Sequence, residues 1–93
     1  MRVTVHYTGQ LALAAGVKGE NWEAGEDITW GQVVTSLAQK RGGEFADFLL
    51  DAQGCPRNSL LLVLDGDQAP SGWANLPVSD VRTVVLMTPI AGG

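Results

Sequence analysis

Two apolar segments constrain the fold of this chain more than any other feature. Residues 59–64 read Ser-Leu-Leu-Leu-Val-Leu, and residues 81–87 end in Val-Val-Leu-Met. Segments that are apolar on both faces are typical of strands inside a sheet, because neither face is left for water. We therefore expect a sheet in which both segments are internal strands.

The first quarter of the chain predicts two further strands. Val3, Val5 and Tyr7 alternate with polar residues, which is typical of a half-buried strand. Residues 11–16 indicate a short helical turn closed by Gly16. Residues 17–24 predict a weak edge strand, anchored by Val17 and Trp22.

The clearest helix signal begins at Thr29. Thr29 and Gln32 match a capping box, and Ile28 and Val33 have the spacing of a hydrophobic staple. Apolar residues follow with helical period until Gly42-Gly43. A second short helix is indicated by the spacing of three apolar residues, Phe45, Phe48 and Leu49.

The remaining segments predict turns and irregular structure. Residues 51–58 indicate a surface loop, residues 65–67 a turn, and residues 68–80 an irregular crossing anchored by Trp73 and Leu76. Together the pattern predicts an α+β fold: a mixed sheet of four to five strands with one main and one short helix on one face. We expect the first and last strands to pair in parallel at its centre.

Composition excludes several functional classes. Ninety-three residues fit one domain, and a net charge of −4 without a basic run argues against a nucleic-acid partner. The single cysteine excludes an internal disulfide and a cysteine metal cage. With no signal peptide and no apolar segment of membrane-spanning length, a cytoplasmic location is expected.

The last six residues, 88–93, read Thr-Pro-Ile-Ala-Gly-Gly. Pro89 cannot donate to a sheet ladder, and the two glycines have no side chain to obstruct a narrow channel. We expect a folded domain over residues 1–87 and a flexible tail over residues 88–93. Such a tail suits the delivery of a carboxylate into another protein's active site, the alternative being an end that frays.

The whole chain resembles the ubiquitin-like β-grasp fold, and more closely its MoaD/ThiS sulfur-carrier branch. That branch includes the small subunit of molybdopterin synthase and the thiamine-biosynthesis carrier. The resemblance rests on the Val3–Tyr7 strand, the helix capped by Thr29, and residues 76–93. Within the molybdopterin pattern, Asp80 matches, whereas Ser79 replaces a glycine and Thr88 replaces the first of two prolines.

The resemblance implies a carrier, not an enzyme. An ATP-dependent activating enzyme of the ubiquitin-activating type would adenylate Gly93, and sulfur would displace AMP to leave a thiocarboxylate. A synthase of the molybdopterin large-subunit type would accept that sulfur. Gly92 keeps the tail narrow, and no cofactor or metal is expected on the chain. The alternatives are a modifier joined through Gly93 to lysines, and an interaction module without tail chemistry.

Two strands supply apolar residues to both sheet faces, while the helices cover only one, so an exposed apolar face is expected. Partner contacts are assigned to that face and to the tail: Leu60, Leu62, Leu86, Met87, Pro89, Ile90 and Ala91. The alternative is that residues 68–80 cover the face. Cys55 and His6 each lack a neighbouring catalytic partner in sequence, and an inert thiol and a polar surface side chain are favoured.

Overall fold

The computed structural model of the chain describes residues 2–25, 27–79 and 81–88. Its elements follow in chain order: β1 Arg2–Tyr7, α1 Gly9–Ala15, β2 Gly19–Glu23, α2 Trp30–Arg41, α3 Gly43–Leu49, β3 Leu61–Leu64, β4 Asp67–Gln68, a 3-10 helix Trp73–Asn75, and β5 Thr83–Met87. None of the described helices is both long and apolar enough to cross a membrane.

The five strands form one mixed sheet in the order β2-β1-β5-β3-β4. The first and last strands pair in parallel, with Tyr7 opposite Leu86, and every other pair is antiparallel. The predicted α+β fold and the central parallel pair are therefore confirmed. The predicted edge strand is also confirmed, since β2 pairs only with β1.

The core lies between one sheet face and the helices. Val3, Val5 and Tyr7 of β1 are buried, as the alternation predicted. Trp22 packs against this core as expected. The expectation that Val17 is an anchor is wrong: it lies in the bend before β2 begins and is 42% exposed.

The capping box of α2 is present in both directions. Gln32 N donates to Thr29 Oγ1 at 3.2 Å, and Thr29 N donates to Gln32 Oε1 at 2.8 Å. The helix ends at Gly42, whose φ of +64° is open to glycine but strained for other residues. These contacts fix both ends of the helix that covers the sheet.

Residues 68–80 pack beside the start of α2. Trp30 N donates to Leu76 O at 2.9 Å, and Val78 N donates to Ile28 O at 2.8 Å. Trp73 is buried and Leu76 is partly buried, so both anchor predictions are confirmed. A Cβ at Gly31 would lie only 2.8 Å from Ala74 O, which shows how closely the crossing approaches the helix.

One carboxylate joins several elements at the end of the sheet where β1 and β5 finish. Glu20 accepts hydrogen bonds from Tyr7 at 2.5 Å, Lys40 at 2.6 Å and Arg41 at 2.7 Å. Burial alone raises the pKa of Glu20, but these hydrogen bonds outweigh it and lower the pKa to about 2. Burial, followed by the Glu20 carboxylate, raises the pKa of Tyr7, so its hydroxyl remains a donor.

Replacing Glu20 by Gln is expected to lower the free energy of unfolding at neutral pH by about 1–3 kcal/mol, because three donors lose an ionised acceptor. The pKa of Glu20 is lower in the folded chain than in the unfolded one. Its stabilisation is therefore complete above the ordinary carboxyl pKa of about 4.5 and is lost as the pH falls towards 2. Urea unfolding at a series of pH values should show the gap between wild type and Glu20→Gln closing in acid. Glu44→Gln removes an exposed carboxylate and is the control. If it lowers the free energy of unfolding as much as Glu20→Gln, the stabilisation does not come from the Glu20 hydrogen bonds.

Substituting Gly31 by Ala is expected to destabilise the fold by about 1–3 kcal/mol, because the new methyl group would meet the backbone of Ala74. The sign of the change in unfolding free energy is informative, because replacing glycine by alanine inside a helix otherwise stabilises it by about 1 kcal/mol. Gln39→Ala, on an exposed position of the same helix, should change stability by less than about 0.5 kcal/mol. A stabilised Gly31→Ala variant in urea unfolding would show that the crossing does not pack as described.

Candidate functional site at the open sheet face and the carboxyl terminus

The sheet face away from the helices carries a small apolar surface. Leu61 pairs with Met87, and Val63 pairs with Val85, so the four side chains are neighbours across β3 and β5. Leu61 and Met87 are 41% and 37% exposed, and the two valines are half-buried. We call this set of four residues the open-face patch.

The prediction that Leu60, Leu62 and Leu86 belong to the exposed apolar face is wrong. Leu60, Leu62 and Leu86 are at most 1% exposed and lie in the core, so they cannot contact a docked partner directly. Leu86 lies opposite Leu62 on one side and Tyr7 on the other, and all three side chains point to the helices. Met87, one residue along, is exposed as predicted.

The alternative cover for this face is also wrong for the described part of residues 68–80. Residues 73–78, which include Trp73, lie against α2 on the covered side, and Leu61 and Met87 stay exposed. The polar neighbours of the patch are His6, in register with Val85, and Gln68, in register with Val63. The exposed ion pair of Arg2 and Glu23 lies at the opposite end of β1.

The end of β5 is held from both sides. Leu86 lies between Tyr7 and Leu62, and Thr8 Oγ1 donates to Leu86 O at 3.1 Å. β5 therefore ends at the centre of the sheet with Met87, and the half-buried Thr88 follows it. The predicted tail residues Pro89, Ile90, Ala91, Gly92 and Gly93 lie outside the described residues, and their assigned roles stay predictions.

The start of β5 is held by the turn between β3 and β4. Asp65 adopts φ +48° and accepts hydrogen bonds from Thr83 N at 2.9 Å, Thr83 Oγ1 at 3.1 Å and Arg82 N at 3.1 Å. The backbone hydrogen bond from Thr83, foremost among these contacts, lowers the pKa of the Asp65 carboxyl. The predicted turn at residues 65–67 is confirmed, and Asp65 in it anchors the strand that leads to the tail.

The side chains of Cys55 and His6 were the other candidates for reactive groups. Cys55 is exposed in the 51–58 loop, which is shaped by Asp51 Oδ1 accepting from the backbone N–H groups of Gln53 and Cys55. His6 is exposed on β1. Within the residues that the structure describes, no three histidine, cysteine or acidic side chains are grouped to hold a metal ion.

Sequence reasoning missed Leu61, Val63 and Val85 as the exposed members of the patch. Their segments are apolar at almost every position, so hydropathy gives no sign of which alternate residues face the helices. The polar side of β1 was readable from Thr4 and His6. Predicting which residues of β5 face the same side requires the register of the parallel β1–β5 pair, and the sequence does not give that register.

Comparison with known proteins agrees with this geometry. The family model described as the ThiS family matches residues 5–93. A search of curated protein sequences finds no match.

Solved structures with low sequence identity share the fold. SAMP1 from Haloferax volcanii superposes with a TM-score of 0.83 at 16% identity, over 100% of both chains. Urm1 from Trypanosoma brucei gives 0.74 at 22% identity, over 99% of this chain and 95% of that one. A protein assigned as subunit 1 of molybdopterin converting factor, from Pyrococcus furiosus, gives 0.73 at 15% identity, over 97% and 99%. With the β-grasp fold, the open face and a family match that runs to Gly93, the chain belongs to the ThiS family of small ubiquitin-like carrier proteins.

Proposed function

We propose that this protein carries sulfur as a thiocarboxylate on Gly93, in the synthesis of molybdopterin. The observation that carries the proposal is the family match, which extends through the terminal glycines. Proteins of this type are not themselves enzymes, and the chain would serve as a cosubstrate passed between two partners. The compartment expected for this exchange is the cytoplasm.

The chemistry begins with a poor acyl donor. In the proposed first step, a carboxylate oxygen of Gly93 attacks the α-phosphate of ATP, and pyrophosphate leaves. The outer sulfur of a persulfide then attacks the carbonyl carbon and AMP leaves with the bonding electrons, which gives an acyl disulfide. A thiolate of the activating enzyme or sulfur donor attacks the other sulfur of that disulfide, a new disulfide forms, and the S–S bond breaks to release the thiocarboxylate. The ATP belongs to the activating enzyme, and the chain supplies the carboxylate and its presentation.

The open-face patch supports docking at the base of the tail. Met87 ends β5, and its neighbour Leu61 is exposed beside it. A partner that covers these side chains would hold the tail at a fixed distance from its own active site. Five residues follow Thr88, and in extended form they reach about 17 Å, enough to enter a neighbouring channel.

The molybdopterin assignment rests on the pattern of residues 76–93 and on the shared fold of molybdopterin converting factor subunit 1. The acceptor in this proposal is a synthase of the large-subunit type. The second candidate is a protein modifier joined through Gly93 to lysine amines. It is favoured by the shared fold of SAMP1, a small archaeal modifier protein, and of Urm1. Both functions use the same adenylate.

The intact mass of the chain tests the carrier proposal. After incubation with the activating enzyme, ATP and a sulfur donor, we expect a shift equal to one oxygen-to-sulfur exchange, mapped to Gly93. Deleting Gly92-Gly93 should abolish it, whereas Cys55→Ser should leave it intact and so exclude the loop thiol. Adducts on lysines of other proteins, in place of the exchange, would favour the modifier function. An absence of adenylate, measured by pyrophosphate exchange, would contradict both.

Charge placed on the open-face patch tests the docking role. Met87→Glu or Leu61→Glu is expected to raise the KM of the activating enzyme for this protein by about tenfold or more, because a carboxylate would be desolvated in an apolar contact. Unchanged kcat at saturation would indicate docking and not chemistry. Gln39→Glu adds the same charge to an exposed position on α2, behind the sheet, and is the control. If the control raises KM as much as the patch variants, net charge is responsible and the patch is not the docking surface.

A further inference from the structure

The sequence contains two lysines, Lys18 and Lys40, and the structure gives their side chains different surroundings. Lys40 Nζ lies 2.6 Å from Glu20 Oε1, in an ion pair whose carboxylate is only 12% exposed. An amine must be unprotonated and unpaired to attack an acyl group. Lys40 would have to leave this pair, and the Glu20 cluster would lose one of its three donor side chains.

Lys18 has no such restraint. It is exposed, and within the described residues its side chain forms no hydrogen bond or ion pair. Its backbone is nevertheless fixed, because Tyr7 N donates to Lys18 O at 2.8 Å where the β1–β2 ladder ends. The lysine therefore projects a free amine from a rigid position at the end of the sheet where β5 finishes.

An exposed apolar cleft lies beside this amine. The cleft has a volume of about 280 Å³ and is lined by Ala12, Leu13, Gly16, Val17 and Lys18. Leu13 is 83% exposed, the most exposed large apolar side chain among the described residues. A cleft lined by apolar residues and one lysine fits a narrow apolar peptide with an acyl group at its end. The sequence Pro89-Ile90-Ala91-Gly92-Gly93 is such a peptide.

We propose that Lys18 is a self-conjugation site, at which the amine of one copy accepts the Gly93 acyl group of a second copy whose tail occupies this cleft. The proposal rests on the proposed function, because that function supplies the activated Gly93. In the step, Lys18 Nζ attacks the Gly93 carbonyl carbon and an amide C–N bond forms. The bond to AMP breaks, AMP leaves with its electron pair, and the amine proton passes to water.

The test supplies the activated terminus chemically. Full-length chain carrying a Gly93 thioester of 2-mercaptoethanesulfonate, in which the thiolate replaces AMP as leaving group, is mixed with unmodified folded chain at mildly alkaline pH. Trypsin cuts after Arg82, so a modified lysine retains residues 83–93 and is identified by mass. We expect conjugation at Lys18 to exceed conjugation at Lys40 by about tenfold, since only Lys18 is unpaired.

Three variants and one condition complete the test. Lys18→Arg keeps the charge but removes the nucleophile, and should reduce the two-copy product by about tenfold, whereas Lys40→Arg should leave it nearly unchanged. Leu13→Ser should reduce conjugation at Lys18 several-fold by weakening the cleft. In guanidinium chloride the two lysines should react equally. Equal labelling in the folded state, a preference that survives unfolding, or a cyclised single chain would overturn the proposal. The proposed function is judged separately, by the adenylate and the mass exchange.

Discussion

The parallel pairing of β1 with β5 is the interaction on which the rest of the structure depends. It places β5 between β1 and β3, at the centre of the sheet. Its cross-strand pairs set which residues of β5 face the helices, and through β5 they set the same choice for β3. The buried leucines and the open-face patch follow from this single register.

The architecture was largely readable from sequence, because its signals are local. The capping box at Thr29, the glycine stop at Gly42 and the alternation of Val3, Val5 and Tyr7 each depend on neighbouring residues, and each is confirmed. The site was readable only in part. The two apolar strands predicted that one sheet face is uncovered. Which alternate residues of β3 and β5 lie on that face depends on pairing between segments that are distant in sequence. Leu62 and Leu61 are both leucine, and only the fold makes one core and the other surface.

The two faces of the sheet differ in the contacts that they make. On the covered side, Glu20 joins strands β1 and β2 to the end of α2 through Tyr7, Lys40 and Arg41. Asp65 and Thr8 hold the two ends of β5, so this strand is fixed along its whole length. On the open side the four patch residues are apolar, and Leu61 and Met87 are the most exposed of them.

The central position of β5 has a consequence for how the protein is made. Chains emerge from the ribosome amino end first, and this sheet cannot close until β5, the last of its strands in chain order, has been synthesised. The pairing of residues near the two ends also gives many contacts a long sequence separation, which slows folding. A truncated product lacks the strand that joins β1 to β3, and so lacks the sheet. A chain that stops before β5 therefore also lacks the open-face patch, because Val85 and Met87 supply half of it.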